Sequence, residues 1–151
     1  MLERGCKNFI YLPRSSTAKP EAAQLVAWLK GVGASVDVYS VDVTNSEAIA
    51  KAIAEVSRTR PIRGVIHAAM VLQGGLYENM TSRQYNAPPN PKMHGVLALN
   101  NALKNTPLEF FIMTSTLSAV LGNPSQANYC AGNSFLSYFA LNRRKRGQVD
   151  K

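Results

Sequence analysis

Residues 64–69, Gly-Val-Ile-His-Ala-Ala, decide the fold of this chain. Apart from the histidine the run is apolar, and polar and apolar residues do not alternate along it. Strands with one face in water alternate, whereas strands of a parallel sheet, covered on both faces by helices, are apolar at nearly every position. Residues 61–63, Pro-Ile-Arg, lead into the run. The stretch therefore predicts a buried strand of a parallel sheet, covered on both faces.

Three further segments have the composition of strands. They are 8–12, Asn-Phe-Ile-Tyr-Leu; 36–43, where alternating residues precede Val41-Asp42-Val43; and 109–114, Glu-Phe-Phe-Ile-Met-Thr. A turn-rich loop over 13–19 follows the first of them. Each strand is short, as expected for buried strands in a globular domain.

Helical patterns lie between the strands. Pro20 stands where prolines begin helices, and an apolar stripe follows it as far as Gly31. Residues 44–47, Thr-Asn-Ser-Glu, fit a capping box at the start of a second helix. Two more helices are predicted, one over 93–104 and one from about 127 toward 146. Because strands alternate with helices, we predict an α/β fold with a doubly wound parallel sheet.

Composition and charge limit the function classes. The chain has 151 residues, 46% hydrophobic and 17% charged, which suits one globular domain over 1–151. Seventeen Lys and Arg against nine Asp and Glu give a net charge of +8. The only dense basic run, 143–146, ends the last helix, where cations meet the negative end of the helix dipole. We therefore predict a solvated helix end and no nucleic-acid partner.

Cysteine and histidine usage indicates no metal site and no thiol chemistry. Cys6, Cys130, His67 and His94 show neither metal-ligand nor Cys-x-x-Cys spacing, so we predict reduced, structural thiols. The sequence shows no signal peptide and no apolar stretch of membrane-spanning length. We expect a cytoplasmic protein with no membrane partner.

Tyr129 and Asn133 form the most informative polar pair. Within a helix, residues four apart share a face, so the phenol and the amide would point into the same cleft. A hydroxyl-rich stretch, 114–118, Thr-Ser-Thr-Leu-Ser, follows the last predicted strand. A phenol and a hydroxyl around one cleft suit the reduction of a carbonyl group.

Other candidate residues follow the remaining strands. In doubly wound sheets, ligands bind beyond the carboxyl ends of the strands. Arg14, Asp42 and the turn at Ala68 and Ala69 lie at three such ends. We predict that they share one rim with the hydroxyls of 114–118 and contribute to binding a cofactor.

Four motifs resemble the ketoreductase domain of highly reducing fungal polyketide synthases. They are 64–73 (Gly-Val-Ile-His-Ala-Ala-Met-Val-Leu-Gln), 78–81 (Glu-Asn-Met-Thr), 91–95 (Pro-Lys-Met-His-Gly) and 122–133 (Gly-Asn-Pro-Ser-Gln-Ala-Asn-Tyr-Cys-Ala-Gly-Asn). The resemblance implies a Rossmann-like short-chain dehydrogenase/reductase fold in secondary-metabolite biosynthesis. It also implies an oxidoreductase that uses NADPH to reduce a β-ketoacyl thioester on an acyl carrier protein to its β-hydroxy form.

The resemblance further implies roles for the catalytic residues. Tyr129 would donate the proton to the carbonyl oxygen, and the ammonium of Lys92 would favour its phenolate form, since a phenol ordinarily ionises near pH ~10. Asn133 would support the lysine and an ordered water. Thr116 would hydrogen-bond the substrate carbonyl where the family usually has serine, with Ser115 as an out-of-register alternative.

On the cofactor side, the resemblance assigns Arg14 to the 2′-phosphate of NADPH, a role suited to a guanidinium. It assigns Asp42 to the adenine ring. The family also starts with a strand and a Gly-rich turn that hold the pyrophosphate, whereas residues 1–5 resemble the end of the helix after that turn.

The family's strand order, 3-2-1-4-5-6, places the unmatched strand at the centre of the sheet, between 8–12 and 64–68. The family also continues beyond the basic run with a substrate-covering lid. We therefore expect an incomplete Rossmann-like sheet in a chain truncated at both ends. Pro88 and Pro89 fall at the start of the helix that carries Lys92, where prolines are tolerated only in the first turn. Gly74 replaces an acidic residue of the family.

Two functions fit these features. The first is a truncated NADPH-dependent β-ketoacyl reductase that is active when missing sequence or a partner completes it, and weak or inactive as an isolated chain. The second is a non-catalytic interaction protein that binds other polyketide synthase domains, or another anionic partner, through its basic surface.

Overall fold

The computed structural model describes residues 1–15 and 19–148. Part of the predicted loop over 13–19 lies outside the described residues, as do the last three residues of the predicted domain. The chain divides into two compact units, residues 1–43 and residues 44–151, and each is described by itself.

The first unit is a small parallel β-α-β arrangement. A short 3-10 helix, Leu2–Arg4, precedes strand β1, Asn8–Tyr11, helix α1, Pro20–Gly31, and strand β2, Ser35–Val38. The strands pair in parallel, with Asn8 opposite Ser35 and Tyr11 opposite Val38. The prediction of a second strand is thus correct only for its alternating part, because β2 ends at Val38 and Val41-Asp42-Val43 follows it without strand structure.

The second unit contains the remaining helices and a second parallel pair of strands. Its elements are α2 (Ser46–Ser57), β3 (Gly64–His67), a 3-10 helix (Tyr77–Asn79), α3 (Ser82–Asn86), α4 (Pro89–Ala102), β4 (Phe110–Met113), α5 (Ser118–Leu121) and α6 (Ala127–Lys145). Strands β3 and β4 pair in parallel. The described strands thus form two sheets of two strands each, all in parallel pairs.

The interior of the second unit lies around α4, which packs against both α2 and α6. Ile49 of α2, Val96 of α4 and Leu136 of α6 are all at most 1% exposed. Val65 and Phe111 bury one face of the β3–β4 pair. Buried apolar residues recur at helical spacing in α2 and α4, which favours both the formation of these helices and their association. They are Ile49, Ala52, Ile53 and Val56 in α2, and Val96 and Leu99 in α4.

The other face of β3 and β4 is more open than predicted. Ile66 and Ile112 lie on adjacent strands and are 50% and 49% exposed. The expectation that residues 64–69 form a strand covered on both faces is therefore wrong for the described part of the chain. A continuous apolar sequence shows that both faces of a strand could be buried, but it does not guarantee that other elements pack on both faces.

Two helices, α2 and α4, begin at residues other than those predicted. Asn45, and not Thr44, caps α2, because its side-chain oxygen accepts a hydrogen bond from the N–H of Ala48 at 3.0 Å. Helix α4 begins at Pro89, four residues earlier than predicted. Prolines are tolerated there because the first N–H groups of a helix have no intrahelical acceptor.

The basic run is only partly solvated. Arg144, Lys145 and Arg146 are exposed, as predicted, but Arg143 is 8% exposed. Its guanidinium lies 4.4 Å from the ring centroid of Phe111 and donates a hydrogen bond to the side chain of Asn100. The prediction of a solvated helix end is thus wrong for Arg143, because its position on α6 turns it toward β4 and α4.

Within the described residues, no helix is both long and apolar enough to cross a membrane. The same residues contain no group of three or more potential metal ligands, and both cysteines are free thiols.

Candidate active site

The start of α6 carries Tyr129 and Asn133 on one helix face. Asn133 is fully buried, and its amide nitrogen donates to the carbonyl of Tyr129 at 2.7 Å. The phenol of Tyr129 is half-buried and donates to the sulfur of Met70 at 3.5 Å. The amide therefore turns toward the helix backbone, while the phenol points to the segment that follows β3.

Lys92 lies beside this phenol in the interior of the unit. It is 2% exposed, and its Nζ lies 5.5 Å from the ring centroid of Tyr129. One N–H of its ammonium donates to the carbonyl of Thr114 at 3.0 Å. Burial lowers the pKa of Lys92 from its ordinary value of 10.5, because the interior disfavours the charged form. The lysine thus links the start of α4, the end of β4 and the phenol.

A glycine allows this close approach of α4 and α6. A Cβ on Gly132 would lie 2.9 Å from Cα of Pro89 and 3.4 Å from Cδ of Lys92. Any larger residue would push α4 away and move the ammonium from the tyrosine ring. Gly132 was not among the predicted site residues, although a glycine inside a helix is a signal of close packing.

The hydroxyl-rich stretch lies at the carboxyl end of β4. Thr114 bonds the carbonyl of His67 through its N–H at 3.0 Å and its hydroxyl at 3.4 Å. The hydroxyl of Thr116 donates to Oγ of Ser118 at 3.4 Å and accepts from the Ser118 N–H at 3.3 Å. Thr116 thus helps to start α5, and Ser115 is exposed. The thiol of Cys130 donates to the Ser118 carbonyl at 3.1 Å, which ties α5 to α6.

His67 is a buried titratable group at the end of β3; the sequence showed no metal-ligand spacing around it and predicted no role for its side chain. It is 3% exposed, and its Nε2 has no hydrogen-bond partner among the described residues. Burial, together with the charge of Lys92, lowers the pKa of His67 below 6.5, while hydrogen bonds to the backbone of Lys92 and Pro91 partly oppose this. His67 is therefore held neutral beneath the start of α4.

The residues predicted to bind the cofactor lie in different units. Arg14 and Asp42 are both exposed and belong to the first unit, where the hydroxyl of Ser40 donates to the Arg14 carbonyl at 3.2 Å. Ala68 and Ala69 follow β3 in the second unit and are exposed and half-buried, respectively. Within each unit, these residues follow the carboxyl ends of the strands, as predicted.

The second unit thus brings together three of the four predicted catalytic residues: Tyr129, Lys92 and Asn133. Thr116 lies in the stretch whose first carbonyl binds the lysine, but its hydroxyl is engaged with Ser118. A phenol beside a buried ammonium can donate a proton and carry the resulting negative charge. This chemistry suits the reduction of a carbonyl group.

Comparison with known families agrees with this geometry. The model of the KR domain family matches residues 1–149. The chain belongs to the KR domain family. The resemblance predicted from the four sequence motifs is therefore confirmed.

The chain is also similar to fungal polyketide synthases and to ketoreductases of known structure. It is 40% identical over 148 residues to a reducing polyketide synthase, DEP5, of Alternaria brassicicola, and 40% identical over 150 residues to a highly reducing polyketide synthase, virA, of Hypocrea virens. Each comparison covers 98% of this chain and 6% of the relative. The crystal structure of a ketoreductase domain from the bacillaene assembly line, 29% identical, matches 97% of this chain and 35% of that chain with a TM-score of 0.89.

The structural match also confirms the predicted fold class, a Rossmann-like α/β arrangement with parallel strands. The individual roles of Tyr129, Lys92, Thr116 and Asn133 stay predictions, as do those of the cofactor-side residues. This chain spans 6% of the length of the curated relatives that it matches.

Proposed function

We propose that the chain is the catalytic part of an NADPH-dependent β-ketoacyl reductase of polyketide biosynthesis, which reduces a β-keto thioester on an acyl carrier protein. The observation that carries the proposal is the position of the Lys92 ammonium, 2% exposed and 5.5 Å from the centroid of the Tyr129 ring. Burying a cation is unfavourable without a compensating function or partner. The membership of this chain in the KR domain family supports the class of reaction, the reduction of a ketone.

In the proposed reaction, Tyr129 is the proton donor. Its hydroxyl now bonds the sulfur of Met70, a weak acceptor, so a substrate carbonyl oxygen would be the better acceptor and would replace it. As the proton leaves, the phenolate is stabilised by the neighbouring Lys92 ammonium. Lys92 itself is held by the Thr114 carbonyl, which keeps the cation beside the ring. The hydroxyl of Thr116 would donate a second hydrogen bond to the substrate carbonyl after its release from Ser118.

The residues of the first unit fit NADPH by their chemistry. The exposed guanidinium of Arg14 can bind the 2′-phosphate in bidentate fashion, and the exposed carboxylate of Asp42 can accept a hydrogen bond from the adenine amino group. When bound, NADPH supplies the hydride to the carbonyl carbon. No glycine occurs in the connection over 12–19 or in that over 39–45. We propose that further sequence or a partner supplies the pyrophosphate-binding turn, so that the isolated chain has low activity.

Exposed apolar side chains near the site suit an acyl substrate. Met70, Leu72 and Leu76 follow β3, Leu117 directly precedes α5, and Val120 and Leu121 lie in α5; all six are at least 56% exposed. The first group includes the residue that contacts the phenol, and the second is tied to α6 through Cys130. A β-ketoacyl chain could bury these surfaces when its carbonyl meets Tyr129.

Tyr129→Phe tests the proposal. The change removes the proton donor and its weak hydrogen bond to Met70 while keeping the ring, so we expect the reduction rate of a short β-ketoacyl thioester to fall about 100-fold or more, with NADPH binding unchanged. Tyr138→Phe is the matched control, because Tyr138 lies on the same helix and is 68% exposed. The rate is measured by loss of NADPH absorbance and binding by NADPH fluorescence, each in the chain alone and with added synthase domains.

Equal rates for wild type and Tyr129→Phe would contradict the proposal. The alternative function, a non-catalytic partner of synthase domains, is favoured by the net charge of +8 and by the absence of glycine from the connections over 12–19 and 39–45. It predicts salt-sensitive association with an acyl carrier protein and no binding of NADPH.

A further inference from the structure

Asn128, which directly precedes Tyr129, is a buried side chain whose amide group is fully hydrogen-bonded. It is fully buried at the second position of α6. Its amide nitrogen donates to the carbonyl of Gln73 at 2.9 Å and to that of Gln84 at 3.2 Å. Its amide oxygen accepts from the N–H of Tyr129 at 2.8 Å. Both amide hydrogens and the oxygen are therefore used, each on a different backbone segment.

Each of these bonds meets a need that the local sequence creates. The carbonyl of Gln84, in α3, would normally accept from the residue four positions later, but that residue is Pro88, which has no N–H. The first N–H groups of α6 also lack intrahelical acceptors, and the N-cap residue, Gln126, forms no side-chain cap. Asn128 supplies the missing donor to α3 and an acceptor to α6.

The Gln73 bond fixes the segment that faces the phenol. Next to it, the N–H of Gly75 donates to the carbonyl of Ser125 at 2.8 Å, and a Cβ on Gly74 would lie 2.8 Å from the same carbonyl. The segment over 73–75 thus lies backbone against backbone on the turn before α6. Met70, three residues earlier, contacts the hydroxyl of Tyr129.

We propose that Asn128 is a positioning residue, which clamps residues 73–84 onto the start of α6 and so sets what faces the hydroxyl of Tyr129. As a statement about the reaction, this inference rests on the proposed ketoreductase function. The structural part of the inference does not depend on that function, because the clamp holds residues 73–84 whether or not substrate is present.

A general structural role would have a different signature. Asn128 lies outside the interior between α2 and α4, where Ile49 and Val96 are fully buried. Loss of a core side chain lowers the protection of all elements together, whereas loss of a clamp frees one segment while the remainder stays protected. Local hydrogen exchange distinguishes the two.

The test is Asn128→Asp in the 151-residue chain. The substitution keeps the shape and the oxygen that accepts from Tyr129, but it places a carboxylate oxygen against the carbonyls of Gln73 and Gln84. We expect amides of 73–84 to exchange about 10-fold faster or more, by hydrogen exchange and mass spectrometry, with α2 and α4 unchanged. Asn123→Asp is the matched control, since that exposed amide donates to the side chain of Gln126 and the charge change is the same.

A second variant keeps the test informative if Asn128→Asp does not fold. Gly74→Ala disturbs the same contact from the other side, because its Cβ would meet the Ser125 carbonyl, and we expect it to accelerate exchange in 73–84 to a smaller extent. Unchanged exchange in that segment, or a uniform increase that includes α2 and α4, would overturn the clamp.

The kinetic arm tests the link to the reaction separately. If wild type reduces a β-ketoacyl thioester, we expect Asn128→Asp to lower kcat by about 10-fold or more with a smaller change in the KM for NADPH. An unchanged kcat beside faster exchange would overturn the positioning role. If wild type shows no reduction even with added synthase domains, the proposed function fails, while the exchange data still decide for or against the clamp.

Discussion

The two compact units differ in how much interior they contain. Among the described residues of the first unit, only Ala34 and Val36 are buried, and α1 buries none of its side chains. In the second unit, α4 packs against α2 and α6, and the buried residues include many apolar side chains together with the polar groups of Lys92 and Asn133. Side chains held by a packed interior, as the candidate catalytic residues are, are preorganised, whereas the candidate cofactor residues, Arg14 and Asp42, are exposed on a thinly packed unit.

Two matched Leu→Ala changes should show this difference most strongly. Leu136 of α6 is 1% exposed, so Leu136→Ala should lower the free energy of unfolding by about 2–5 kcal/mol through lost burial and a cavity. Leu25 of α1 is 56% exposed, and Leu25→Ala should change the free energy of unfolding by less than about 0.5 kcal/mol. Urea denaturation followed by circular dichroism measures both. Similar costs at the two positions would show that the units do not differ as described.

Two helix glycines sharpen the comparison. We expect Gly132→Ala to destabilise the chain by about 1–3 kcal/mol, because its Cβ meets the backbone of Pro89 and the unit is already packed. Gly31→Ala should be neutral or stabilising by up to about 1 kcal/mol, because alanine is the better helix former and nothing lies within 4 Å of the added atom. Thermal unfolding of the two variants gives the comparison, and destabilisation by Gly31→Ala alone would contradict it.

The smallest expected effect is a pH dependence that comes from the buried His67. Its pKa is lowered by burial, so between that value and 6.5 the unfolded chain binds a proton that the folded chain does not. Stability should therefore fall as the pH drops below 6.5, by at most about 1.4 kcal/mol per pH unit. His67→Gln should remove this slope, and His94→Gln, at an exposed position, should retain it. Equal slopes in the two variants would show that His67 is not the cause.

Sequence patterns were sufficient for elements whose determinants are local. The apolar runs gave β3 and β4, the strand–helix alternation gave the parallel pairing, and the spacing of Tyr129 and Asn133 gave their common helix face. The place of Lys92 required the family resemblance, because nothing in its local sequence distinguishes a buried lysine from a surface one.

The remaining features depend on contacts between distant segments. Whether Arg143 faces solvent or Phe111 is decided by the rotation of α6 against β4, which no local motif encodes. The role of Asn128 depends on Pro88, forty residues earlier, because the proline leaves a carbonyl that needs a donor. The uncovered face of Ile66 and Ile112 depends on what packs there, so an apolar sequence alone could not predict it.

The buried positions of Lys92 and Arg143 change how the basic composition should be understood. Attraction to a polyanion at long range follows net charge, but direct phosphate contacts and the counterions they release require side chains that reach the surface. Of the 17 Lys and Arg residues, these two are committed to internal partners, a carbonyl and an aromatic ring. The salt dependence of any complex should therefore be shallower than the composition suggests.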